Sequence, residues 1–149
     1  MRSDAEGILE AGLGAYAMGD LEVASAYFAE DAVYAIHIDQ QILPFGGEVI
    51  GRNAILHQWQ EINRAFELVQ HNPKIISCND DVVRVQVQFA FRHRRSGAVI
   101  DGMLRIVAQV EGGKIVRLRE YHDQERIRAF MCLFEQDARD GKATPQSPA

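Results

Sequence analysis

Glu120 and His122 stand two residues apart in the segment Ile115–His122, IVRLREYH. A strand there would turn both to one face together with Leu118. A carboxylate on a greasy strand face is expensive to bury unless it is paired or used, and burial disfavours its charged form. Those two properties suit a general acid or base. His122 could form a proton relay with Glu120 or orient a substrate oxygen. Tyr34, in the segment Ala32–Ile38 (AVYAIHI), could donate its hydroxyl to a carbonyl or epoxide oxygen. Each residue also has a plainer role open to it. Glu120 could pair with Arg52 or Arg119 on an exposed rim, His122 could cap a strand half-exposed, and Tyr34 could be an amphipathic core residue.

Other chemistries find little support. His37 and Asp39 form an H-x-D pair that, with Glu120 and His122, offers carboxylate and imidazole ligands. Such spacing is nonspecific, and no metal is expected. Cys78 and Cys132 are far apart and neither has a base beside it, so a disulfide framework, a metal knuckle and thiol catalysis all lack a signature. There is no G-x-S-x-G, no phosphate-binding loop and no G-x-G-x-x-G, so no cofactor is expected. Sixteen Lys and Arg against 21 Asp and Glu leave a net charge of −5, which argues against a nucleic-acid partner. The run Arg92–Arg95 then reads as a solvated turn. No apolar run approaches the ~20 residues of a membrane span, and the opening MRSDAEGILEAGLG lacks the pattern of a signal peptide. A cytoplasmic protein without a membrane partner is expected.

The elements that must position these residues follow from periodicity. At 149 residues with 47% apolar content the chain is expected to be one domain over residues 1–140, with a disordered tail, GKATPQSPA, over 141–149. Ser3 and Glu6 make an S-x-x-E capping box for a first helix carrying Ile8, Leu9, Leu13 and Tyr16. Gly19 ends it and Asp20 caps a second, running through Phe28. Ala32–Ile38 is a strand, Gln40–Gly51 a loop, and a third helix from about Asn53 carries Ile55, Trp59, Ile62 and Phe66 on one stripe until Pro73 stops it. A short strand Lys74–Cys78 comes next. Val83, Val85, Val87, Phe89 and Phe91 then alternate with Arg84, Gln86, Gln88, Ala90 and Arg92, one greasy face and one mostly wet. Val99–Val110 and Ile115–His122 complete the strands around a Gly112-Gly113 hairpin, and Asp123 caps a final helix. Three short joins make the sheet largely antiparallel, an α+β fold. A curved sheet covered by helices leaves a concave interior, where a pocket is expected. Its expected lining is Tyr16, Ile36, Trp59, Val87, Phe89 and Leu104.

Four segments carry a resemblance. Tyr16–Asp20 (YAMGD) followed by Tyr27–Tyr34 (YFAEDAVY), Ile50–Ile55 (IGRNAI) and Gly112–Asp123 (GGKIVRLREYHD) resemble, in order, the helix ends, third-helix entry and last hairpin of the nuclear transport factor 2-like superfamily. Within it the chain is most similar to the SnoaL-like group of polyketide cyclases, limonene-epoxide-hydrolase-like enzymes and ketosteroid-isomerase-like proteins. The resemblance implies a cone-shaped barrel of curved, mostly antiparallel sheet closed by helices on its concave face. It also implies an apolar pocket, no metal or organic cofactor, and a homodimer. Of the epoxide-hydrolase residues, the last-strand Asp falls on Glu120 and the pocket Tyr on Tyr34, whereas the Arg and Asp of the middle strand fall on Val87 and Phe89. The isomerase base falls near Ile36 and its oxyanion Tyr near Gly12, so both are absent. What remains is a small, mostly apolar ligand, handled either by a cofactor-independent isomerase, cyclase or hydrolase using Glu120, or by a non-catalytic binding or dimeric scaffold domain. Fold alone does not decide between them.

Overall fold

The computed structural model describes residues 4–139. Helices α1 (Asp4–Ala17) and α2 (Leu21–Ala26) lead into strands β1 (Phe28–His37) and β2 (Gly47–Ile50). Helix α3 (Arg52–Ala65) runs into β3 (Phe66–Asn79). The strands β4 (Val82–His93), β5 (Val99–Glu111) and β6 (Lys114–Tyr121) precede helix α4 (Gln124–Arg139). Ser3, and with it the capping box, lies outside the described residues, as does the tail from 141.

The strands form one curved sheet in the order β2-β1-β6-β5-β4-β3. The β1–β6 pair is parallel and the others are antiparallel. The sheet is not closed, so β2 and β3 are its edges. Turn chemistry sets two of the hairpins. Asp80 and Asp81 both adopt positive φ between β3 and β4, and Gly112 and Gly113 do so between β5 and β6. Two successive positive φ angles give a turn whose twist matches that of the flanking strands. The expected caps are in place: Asp20 accepts from the Val23 N–H at the start of α2, and Asp123 accepts from the Arg126 N–H at the start of α4.

Four local readings change. α2 ends at Ala26, and β1 begins at Phe28 rather than Ala32. The loop expected over Gln40–Gly51 contains the short strand β2, paired antiparallel to β1. α3 ends at Ala65, and Phe66 opens a 14-residue strand in place of the short one expected at Lys74–Cys78. Pro73 lies inside that strand, opposite Val87. An edge strand tolerates a residue without an N–H, because one side of its backbone has no partner to satisfy.

The inner sheet face follows the period-two pattern. Val83, Val85, Val87 and Phe89 of β4 and Leu104, Ile106 and Ala108 of β5 are buried, while Arg84, Gln88, Asp101 and Arg105 are exposed. The core lies between this face and α1 and α3, around Leu9, Ile55 and Trp59. α4 is tied to the sheet by Arg126, which bonds the Asp101 carboxylate and carbonyl at 2.5 Å each. The rings of Phe134 and His93 add a stack at 4.1 Å. β3 departs from simple alternation at two bulges, between Leu68 and Gln70 and between Ile75 and Ser77. No helix among the described residues is long and apolar enough to cross a membrane.

Candidate functional site

Parallel pairing of β1 with β6 sets Tyr34 beside Leu118 and Ile36 beside Glu120. The long phenol of Tyr34 reaches along the inner face, and its hydroxyl donates to Glu120 Oε2 at 2.5 Å. His122, just beyond the end of β6, places Nε2 3.0 Å from Glu120 Oε1. Both carboxylate oxygens are therefore engaged, one from the neighbouring strand β1 and one from the residue two positions on. The Glu120 side chain is 18% exposed and that of His122 10%, while Tyr34 is buried at 3%. Among the described residues no arginine pairs with the carboxylate. The Arg52 guanidinium is occupied by the Phe28 carbonyl at 2.7 and 2.9 Å, and Glu120's ionic partner among the described residues is the His122 imidazole. His122 Nδ1 is buried with no hydrogen-bond partner.

This group opens on a cavity of about 110 Å³. A single water needs only about 10–15 Å³ by the same kind of measure, so the space suits a molecule of several heavy atoms. Its wall is almost wholly apolar. Ile36, Phe89 and Leu104 come from the sheet, and Tyr16 and Trp59 from the helices. Val87 does not line it; that side chain is fully buried in the core. Trp59 holds the aromatic side of the wall together, with edge contacts to Tyr16 (5.3 Å), Phe28 (5.5 Å) and Tyr34 (6.0 Å).

The apolar wall keeps the phenols protonated. Burial, reinforced by the nearby Glu120 charge, raises the Tyr34 pKa well above the ordinary value of 10.0, and Tyr16 rises for the same two reasons in the same order. A hydrogen bond from the Trp59 indole opposes the rise at Tyr34 without cancelling it. Tyr34 is thus held as a neutral donor facing a carboxylate.

The residues of the H-x-D pair do not join this group. His37 lies on the outer face, its ring stacked on Tyr121 at 4.5 Å. The Asp39 carboxylate accepts from the Gln41 N–H. Among the described residues no cluster of three or more His, Cys, Asp or Glu is arranged to hold a metal ion.

The structure adds a polar residue that sequence reasoning missed. His71, on β3, lines the cavity; its ring sits 5.6 Å from that of Tyr16, and its Nδ1 is buried with no hydrogen-bond partner. Burial lowers its pKa below 6.5, an effect that attraction to the Glu120 charge and then an interaction with its own backbone offset only in part. The segment read as helix end and breaker hid it, since no period-two pattern survives around Pro73. Ile127, Phe130 and Met131 of α4 also join the wall, as do Leu43 and Phe45 of the β1–β2 loop.

Residues 9–118 match a family model described as a SnoaL-like domain. No curated protein matches the sequence. Among solved structures, a candidate isomerase from Rhodopseudomonas palustris superposes with a TM-score of 0.75 at 16% identity, over 89% of this chain and 98% of that one. A candidate polyketide cyclase from Xanthomonas campestris gives 0.71 at 20% identity, over 86% and 96%. A protein of ketosteroid isomerase-like fold from Catenulispora acidiphila, in complex with trimethylamine, gives 0.69 at 16%, over 80% and 88%. At these identities the superpositions speak to the fold.

Proposed function

The chain belongs to the SnoaL-like domain family, and we propose that it binds a small, mostly apolar molecule in the cavity and acts on it as a cofactor-independent isomerase or cyclase. The observation that carries this reading is a carboxylate facing an apolar cavity with no arginine or lysine paired to it among the described residues. Glu120 is the general acid or base. It takes the proton next to a substrate carbonyl and returns it at another position, so atoms and charge balance over the cycle. A carboxylate has about four lone-pair sites, and Tyr34 and His122 use two, which leaves capacity for a substrate C–H or O–H. Tyr34 and His122 hold the carboxylate in place. As Glu120 gains the proton, the Tyr34 hydroxyl is released from a charged acceptor and becomes available to the developing enolate oxygen.

Proton abstraction can be tested before the natural substrate is known. Cyclohexanone dissolved in D2O exchanges its α-protons, and NMR follows the rate. The protein should accelerate exchange, and Glu120→Gln should remove a factor of about 10²–10⁴, the usual contribution of a positioned acid or base. Equal exchange with wild type and Glu120→Gln overturns the assignment. One observation favours the second reading, a non-catalytic ligand-binding domain: β4 and β5, which include the positions corresponding to the epoxide-hydrolase Arg and Asp, present only apolar side chains to the interior. Cavity binding of cyclohexanone without accelerated exchange would select it.

A further inference from the structure

β3 begins in one phase and continues in the other. Phe66 and Leu68 stand opposite His93 and Phe91, so even-numbered residues share the inner face with β4. One residue is then left over at Val69, 48% exposed, and pairing resumes with Gln70 opposite Ala90 and His71 opposite Phe89. Without the extra residue the register would set Gln70 against Phe89 and His71 against Gln88, on the outer face. The bulge therefore swings the imidazole inward, a known use of bulges beside binding sites. Once inside, His71 packs beside the Tyr16 ring and leaves Nδ1 buried and unpaired. Buried polar atoms are almost always paired, so an unpaired nitrogen in the side chain of a cavity-wall residue leaves a bond for a ligand group to complete.

We infer that His71 is a second hydrogen-bonding station of the cavity, so that the ligand is a ring-sized, mainly apolar molecule carrying two neutral oxygen functions, one met at the Tyr34–Glu120 pair and one at His71. The inference rests on the reading of the cavity as a ligand site. It narrows the ligand class in two ways. A neutral imidazole offers one donor and one acceptor, which fit a hydroxyl or a carbonyl. A carboxylate is disfavoured there, because Glu120 is the ionisable acid among the wall residues, and its negative charge already reaches both His71 and Tyr16.

Trp59 is the chain's single tryptophan and lies in the wall, so its fluorescence reports occupancy. Cyclohexanone and 4-hydroxycyclohexanone are the two probes. The hydroxyketone should bind about tenfold more tightly, the usual gain when a ligand satisfies a buried unpaired group. His71→Leu should erase that margin, and His71→Asn should restore part of it. In the wild-type protein the ¹⁵N resonances of the His71 ring should shift with the hydroxyketone and not with cyclohexanone, a readout that needs no variant. Equal affinity of the two probes for wild type, or a margin that survives His71→Leu, overturns the role of His71 and leaves the pocket standing. Failure of both probes to perturb Trp59 refutes the apolar-pocket reading, and the inference falls with it.

Discussion

The bond between Tyr34 and Glu120 should show itself as a coupling between two residues 86 positions apart. Tyr34→Phe keeps the ring and its contacts with Trp59, so no cavity opens. It removes a 2.5 Å bond to a carboxylate that is 18% exposed, where water can replace the lost donor only in part. A hydrogen bond to a charged group contributes about 1.5–3 kcal/mol, so a loss near 2 kcal/mol is expected. For a domain of this size that is a fall of roughly 4–8 °C in Tm. Glu120→Leu strands the phenol and the His122 imidazole instead, at about 1–3 kcal/mol for each unpaired buried group. The double variant leaves His122 stranded as Glu120→Leu does but removes the stranded hydroxyl, so adding Tyr34→Phe to Glu120→Leu is close to neutral. Urea denaturation of the four proteins should therefore give a coupling of about 2 kcal/mol, with the double variant no less stable than the weaker single variant. Strict additivity, within about 0.5 kcal/mol, would mean that the two side chains do not meet, and the account of the site would fail with it.

Two further outcomes follow from burial and from steric fit. Because burial lowers the His71 pKa below 6.5, the unfolded chain binds more protons than the folded one just below that pH, so His71 costs stability as the pH falls through this window. Urea midpoints measured from pH 7 to pH 5 should shift in favour of His71→Leu relative to wild type; His93, shifted the same way, is present in both proteins and cancels in the difference. Gly46→Ala would place a Cβ 2.1 Å from the backbone carbonyl oxygen of Ile38. Backbone must move, so a loss of about 1–3 kcal/mol is expected in the same assay, and an unchanged midpoint would contradict the packing of the loop before β2.

Much of the sheet is legible from residue order alone, because its cues are local. The alternation from Val83 to Phe91 separates a buried from an exposed face, and the structure keeps that separation from Val83 to Phe89, beyond which Ala90 is buried and Phe91 only half-buried. The residues at the two hairpins are those that accept positive φ, and Asp20 and Asp123 cap the helices that follow them. The shared face of Glu120 and His122 follows from the same period of two. Where local cues conflict, the reading fails. Phe66 continues the stripe of α3 as well as it begins β3, and Pro73 looks like a breaker until its strand is known to be an edge.

Residue order by itself determined the α+β class, most element identities, and which side chains of each strand can share a face, because turn dihedrals and period-two burial act between neighbours. Tertiary structure decided what those faces meet. It brought the Tyr34 hydroxyl onto Glu120 through a parallel pairing that no local cue announces. It also laid α4 against the cavity, and it turned His71 inward through one extra residue in β3. The physical reason is register: a strand's own sequence states its period, but its phase against a neighbour is settled only when the two are paired.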